Sequence, residues 1–258
     1  MNKKSRYILA TILFALGLFL AIYPFLDAKL QGYLVSHETA FIDRVIDGDT
    51  VESNETSIRL LGINTPERGE IYYLEAKEFL EDLVLNKTVR LEYGKDKKDR
   101  YGRTLAYLYI GSNNVNLKLV EDGYANIYFP SGRDTNYNQF AQSWEKCGEN
   151  LCEISKHECA RCIKLTKFDY KNEIMILENT CSFDCELTGW IIKDEGRKKF
   201  IFPEFVLEGL ENIEILVDEG KNNENTLYWT GETYVWTDSG DSLFLRDDEG
   251  GLVLWESY

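Results

Sequence analysis

Three short stretches hold the residues best able to do chemistry: VIDGDTV at 45–51, IRLLGINTPE at 58–67 and DRYGRTLAY at 99–107. Asp47 and Asp49 stand two apart, so on a strand they share a face, and a bend at Gly48 can turn both toward one cation. Asn64 and Thr65 add neutral oxygens. An oxygen-rich set of this kind suits a hard ion such as Ca²⁺. Arg59, Glu67 and Arg103 complete the constellation. Two guanidinium groups can neutralise charge developing on phosphorus oxygens while a carboxylate activates water, which is what phosphodiester hydrolysis requires. Each piece alone is unspecific, since Asp-Gly-Asp-Thr is also an ordinary turn. Arg59 says more. Inside an apolar strand it needs a partner, and Asp49 and Glu67 are the carboxylates at hand.

The elements that must position these groups follow from patterning. FIDRVIDGDTV and SIRLLGI read as strands, separated by turn residues at Asp47-Gly48 and Ser53-Asn54-Glu55. Ala76, Phe79, Leu80, Leu83 and Val84 form one apolar stripe at helical spacing. TVRLEY and RTLAYLYI read as strands, and a short helix around Asn116 to Asp122 should stop at Gly123. Five short strands with inserted helices suit a small closed barrel of the OB type.

The three motifs, in this order and spacing, resemble the staphylococcal nuclease (thermonuclease-like) family, whose pattern runs D-G-D-T, then R-L-x-x-x-D-T-P-E, then Y-G-R. The resemblance covers about residues 38–146, including the VNLKLVEDGYA segment. It implies an OB-fold and Ca²⁺-dependent cleavage of DNA and RNA, with the P–O5′ bond broken to leave 3′-phosphates. Carried over by residue, Arg59, Glu67 and Arg103 match the catalytic trio. Asp49 matches a direct calcium ligand, Thr65 supplies a carbonyl, and Asp47 supports the site. Asp99, Arg100 and Tyr101 fall in the substrate-binding segment, where the aromatic helps to hold the nucleotide phosphate. Tyr128 or Phe129 lies where the family has a base-stacking Tyr. Asn64 stands where the family has a second Asp ligand. It keeps the oxygen but removes a charge, so weaker calcium binding is expected. The rival reading is a non-catalytic OB-fold that holds single strands beside an adhesive sandwich.

Composition sets the bounds. The chain has 258 residues, 44% of them hydrophobic and 28% charged, which excludes a largely disordered protein and leaves room for about two domains. Its formal charge of −15 argues against coating nucleic acid by bulk positive charge. Most of the acidity lies late: −5 over residues 38–146 against −12 over 163–258.

Residues 7–26, YILATILFALGLFLAIYPFL, carry no charge and are long enough to span a bilayer as one transmembrane helix. Lys3, Lys4 and Arg6 precede them, which places the N-terminus in the cytoplasm and the remainder outside. A cleaved signal peptide, and hence a secreted protein, is the alternative. Residues 1–37 then form tail, anchor and linker.

Residues 147–162, CGENLCEISKHECARC, make a Cys-rich linker. Outside the membrane Cys147, Cys152, Cys159 and Cys162 are expected in disulfides of open connectivity, with tetrahedral Zn²⁺ as the alternative. Cys181 and Cys185 share one loop and are expected to bond each other. His157 reads as a linker residue.

Residues 163–258 contain short β-rich pieces separated by turn signals, as in a sandwich of two antiparallel sheets. NEIMILEN, LTGWIIKDE, FIFP and WTDSGDSLFLRDDEG resemble the lamin-tail domain, which implies an immunoglobulin-like sandwich. Trp190 and Trp236 are read as core. Asp238, Asp241, Asp247, Asp248 and Glu249 are read as a solvated acidic face. A protein or surface partner for this domain is left unnamed by the sequence. The whole is a multidomain, mainly β chain.

Overall fold

A computed structural model describes residues 16–20, 22–23 and 38–258. The expected membrane helix over 7–26 lies largely outside the described residues, and those of it that are described, 16–20 and 22–23, are helical. No helix among the described residues is long and apolar enough to cross a membrane. Residues Thr39–Tyr258 form one compact unit.

The first half of that unit is built on strands Thr39–Phe41 (β1), Arg44–Asp47 (β2), Thr50–Ser53 (β3), Thr56–Leu60 (β4) and Gly62–Asn64 (β5). They are followed by Thr88–Lys98 (β6), Thr104–Ile110 (β7), Asn113–Asn114 (β8) and Asn126–Tyr128 (β9). The main sheet runs β1-β6-β7-β4-β3-β2, a half-barrel consistent with an OB-fold. β8 extends β7, and β5 pairs separately with β9. The β3–β4 hairpin turns on Asn54 and Glu55, both at positive φ, as a two-residue primed turn requires.

Three helices, Tyr73–Val84 (α1), Val115–Glu121 (α2) and Tyr137–Lys146 (α3), pack against the sheet. The expected stripe is the buried face of α1, with Ala76, Leu80 and Val84 inside. Asn114 caps α2 by accepting from the Leu117 amide, and Gly123 follows it at φ 68°. A Cβ there would strike the Glu149 carbonyl at 2.2 Å, so only glycine fits. Helix α3 is an element beyond those expected, and Tyr137, Phe140 and Trp144 recur in it at helical spacing and are buried.

The second half is also β. Ile163–Asp169 (β10), Ile174–Asn179 (β11), Cys185–Glu186 (β12), Ile191–Lys193 (β13), Lys199–Ile201 (β14) and Val206–Leu207 (β15) come first. Asn212–Leu216 (β16), Thr226–Tyr228 (β17), Ser242–Arg246 (β18) and Leu252–Ser257 (β19) follow. Two four-stranded sheets, β10-β11-β16-β17 and β14-β13-β18-β19, enclose a common core that holds Trp190, Trp229 and Trp236. Not every pair is antiparallel as expected, since β16 and β17 run parallel.

The core of the first half also takes in Phe244 and Leu252 from the second, with Trp144 meeting Phe244 edge-on at 5.3 Å.

All six cysteines are oxidised in pairs: Cys147–Cys152, Cys159–Cys185 and Cys162–Cys181. This removes the zinc alternative, because a disulfide sulfur is not a thiolate ligand. It also corrects the expected Cys181–Cys185 bond. The amide and hydroxyl of Thr180 both donate to the Cys162 carbonyl, at 2.9 and 2.8 Å, so residue 181 is laid beside 162. The tight turn from Cys159 to Cys162 then leaves Cys159 for Cys185. The acidic segment differs as well. Asp241 and Asp247 are buried backbone acceptors, Asp241 for Glu195 and Ser242 and Asp247 for Glu249 and Gly251.

Candidate active site

The site grows from the β2–β3 turn. Gly48 lies so close to Thr65 that a Cβ would come within 2.8 Å of its hydroxyl, and this approach lets Asp49 reach across. The Asp49 carboxylate accepts from the Thr65 amide at 2.9 Å and from its hydroxyl at 3.1 Å. The same oxygen is 3.0 Å from Arg59 Nη2.

Arg59 sits on β4 across from Thr50 and is 8% exposed. It also donates to the Leu60 carbonyl at 2.9 Å, to Asn64 Oδ1 at 3.2 Å and to the Asp49 carbonyl at 3.4 Å. A cation this buried is tolerable only with such a full set of acceptors. Of its two expected partners it takes Asp49.

Asp47 joins the cluster by accepting from the Asp49 amide at 3.2 Å. Burial and the neighbouring Asp49 charge push its carboxyl above the usual range. A carboxylate pair in that state gains from any cation placed beside it. The available donors, Asp47, Asp49, Asn64 Oδ1 and the Thr65 carbonyl, are all oxygens and fit calcium in kind. Among the described residues, however, no three His, Cys, Asp or Glu groups gather as a metal cluster.

Glu67 follows on the β5 side, its side chain 46% exposed, with Oε1 2.8 Å from Arg197 Nε. Arg103 lies just before β7. The parallel β4–β7 register pairs Ile58 with Thr104, so Arg103 falls beside Ser57 and shares the parity of Arg59. Its partner is Asp99, at 2.7 Å. Asp99 also accepts from the amides of Tyr101 and Arg103. Partial burial raises its carboxyl, but these bonds outweigh that and leave it lowered. Asp99, expected among the substrate contacts, is therefore occupied in orienting Arg103. Tyr101 is 69% exposed, with the guanidinium groups of Arg100 and Arg103 over its ring at 4.8 and 5.6 Å.

The two candidate stacking rings separate clearly. Phe129 is buried, edge-on to Tyr137 and Phe140, and belongs to the core. Tyr128 is part-exposed beside Gly62, its hydroxyl shifted up by burial and partly offset by Arg59 and Arg197. Residues that the sequence reading missed come from the second half. Gly196 accepts from the Asn64 amide at 2.9 Å, and Glu195 accepts from the Phe129 amide at the same distance. No local signal marks them, since these contacts span 132 and 66 positions.

Residues 57–150 match the model of the staphylococcal nuclease homologue family. The chain is 39% identical over 116 residues to a thermonuclease of Staphylococcus hyicus, covering 41% of this chain and 68% of that protein. It is 33% identical over 132 residues to the thermonuclease of Staphylococcus intermedius, covering 46% and 79%. An uncharacterized endonuclease of Haemophilus influenzae is 34% identical over 118 residues, covering 44% and 65%.

Proposed function

Given that the chain belongs to the family of staphylococcal nuclease homologues and is a hydrolase of nucleic acids, we propose a calcium-dependent phosphodiesterase acting on DNA and RNA to give 3′-phosphates. The observation that carries this reading is the Asp49 carboxylate shared by Arg59 and Thr65, with Asn64 on the same guanidinium and the accessible carboxylate of Glu67 two residues past Thr65. A pure binding module has no use for that carboxylate opposite a phosphate.

Glu67 takes the proton of the attacking water. Arg59 and Arg103 offset the charge that builds on the phosphorus oxygens as the P–O5′ bond breaks, and the departing oxygen is protonated by solvent. Arg59 is held rigid by its acceptors, so little reorganisation accompanies the step. Arg100 and Tyr101 provide an exposed cationic and aromatic surface for the chain of phosphates, and Tyr128 offers a ring to a base. Asp47, Asp49, Asn64 and Thr65 would hold one Ca²⁺, bound more weakly for want of a charge at position 64. When bound, that ion supplies further stabilisation of phosphate charge.

We read residues 7–26 as a membrane anchor that places the enzyme outside the cell, and residues 163–258 as a lamin-tail-like sandwich. Recovery of the protein in membranes washed at high pH checks the anchor. For the reaction, the full chain is incubated with single-stranded DNA and RNA, with calcium or with chelator. Fragments that form only with calcium, and whose 3′ ends accept polymerase extension only after phosphatase treatment, are expected. Intact substrate under every metal condition would sink the enzyme reading.

A further inference from the structure

Contacts crossing from the second half to the barrel converge on the rim of the candidate site. The turn between β13 and β14 brings its tip there, with Gly196 bound by Asn64 and Arg197 at Glu67. Both flanking strands are pinned too. Lys193 on β13 and Lys199 on β14 reach Glu70 at 3.3 and 3.4 Å. Behind the tip, the Glu195 carboxylate accepts from the Phe129 amide and, at 2.7 Å, from the Ser242 hydroxyl. Asp194 closes the turn by accepting from the Lys198 amide at 2.9 Å. The backbone under residue 197 is thus fixed on several sides. Its side chain keeps 74% exposure, so the guanidinium stands open to solvent beside Glu67.

Resting on the nuclease reading above, we propose that Arg197 is a phosphate-binding residue of the active site, delivered in cis by the C-terminal half. Without substrate its guanidinium occupies Glu67. With nucleic acid bound it turns to a backbone phosphate and frees that carboxylate. Magnitudes separate this role from a lock. An ion pair so exposed holds Glu67 back by less than about tenfold. A guanidinium meeting a phosphate makes two parallel charge-assisted hydrogen bonds, which are stronger, so exchange runs toward the substrate. Asn64 is a positioning residue here, because only its amide side can donate to the Gly196 carbonyl. An acidic residue at that place would meet the carbonyl oxygen with another acceptor.

The test uses the full chain, as wild type, Arg197→Ala and Arg197→Lys. Binding of a fluorescent single-stranded oligothymidylate is followed in chelator over a range of salt, and calcium-supported cleavage is measured in parallel. Arg197→Ala should weaken binding about tenfold, lower the salt slope by about one, and reduce kcat/KM mainly through KM. Arg197→Lys should recover part of each, since charge returns without the planar fork. Unchanged affinity and slope in Arg197→Ala, or no binding by wild type, would overturn the assignment. Faster cleavage by Arg197→Ala would overturn it in favour of a lock. Should wild type bind through Arg197 yet cleave nothing, the phosphate role stands and the nuclease reading falls. Should it cleave with Arg197→Ala unchanged, only the phosphate role falls.

Discussion

The side-chain nitrogen of Asn64 lies 2.9 Å from the carbonyl oxygen of Gly196, while its oxygen takes a hydrogen bond from Arg59 at 3.2 Å. One amide therefore ties the barrel's buried arginine to the turn of the other half. A carboxylate could do the second job and not the first.

Asn64→Asp should accordingly have two opposed effects. Without metal, the lost donor and the added charge near Asp47 and Asp49 should lower stability by about 1–3 kcal/mol. With calcium, the extra ligand charge should tighten binding and close the gap. Thermal melts and a calcium titration of both proteins check this. An unchanged calcium requirement would show that Asn64 is not a ligand.

Glu67→Gln and Arg103→Ala should each lower turnover about 10²–10³-fold with melting temperatures close to wild type, because neither side chain is buried. Arg59→Ala should differ. It strands Asp49 without its cation in a buried place and should cost about 3–5 kcal/mol as well as activity. Rates on DNA and RNA beside circular-dichroism melts separate the two classes.

Gly48→Ala should damage the site although alanine adds only a methyl. The new carbon would press on the side chain of Thr65 at 2.8–2.9 Å and push it off Asp49. A loss of about 1–3 kcal/mol and a marked fall in rate are expected. Wild-type turnover in this variant would mean that the Asp49–Thr65 contact is dispensable.

Acidity at the β13–β14 turn should be visible in stability. Burial and the Asp241 charge push Asp194 up to about 7, and burial with Asp241 does the same for Glu195 despite its hydrogen bonds. Both groups hold protons in the folded protein at pH values where the unfolded chain, near 4, has released them. Their contribution is therefore greatest below about pH 4 and is lost as pH rises toward 7. Melting temperature measured from pH 5 to 8 should fall less steeply in Glu195→Gln and in Asp194→Asn than in wild type. Parallel curves would place the titrating groups elsewhere.

Peptide mapping without reduction should recover Cys159 joined to Cys185 and Cys162 joined to Cys181. These close 26 and 19 residues, and each should stabilise by about 3 kcal/mol, so reduction should lower the melting point sharply. A peptide linking Cys181 to Cys185 would refute the pairing.

Local pattern sufficed for much of the barrel. The α1 stripe, the stop of α2 at Gly123 and the turn at Asn54-Glu55 are short-range features whose chemistry is written in adjacent residues. Arg59 declared its need for a carboxylate by sitting among apolar neighbours, and Asp49 meets it at 3.0 Å. What stayed hidden is long-range. Nothing near Cys181 says that Thr180 is held at Cys162, and nothing near Arg197 points to Glu67. Phe129 and Tyr128 are adjacent aromatics whose fates differ because Phe129, just past β9, packs against Tyr137 and Phe140 of α3. Asp99 is expected among the substrate groups but is used by Arg103, a pairing that depends on the conformation of the loop between them.

Trp144 and Phe244 have a consequence for how this protein ages. Their edge-on contact lies inside the cluster that also claims Leu252, so the second half lends a ring and an aliphatic side chain to the core of the first. A protease that nicked the chain between residues 147 and 162 would not liberate a free-standing nuclease. The fragments would stay clasped, and forcing them apart would bare an apolar scar on each, inviting aggregation. The enzyme and its acidic companion are thus bound to share one lifetime.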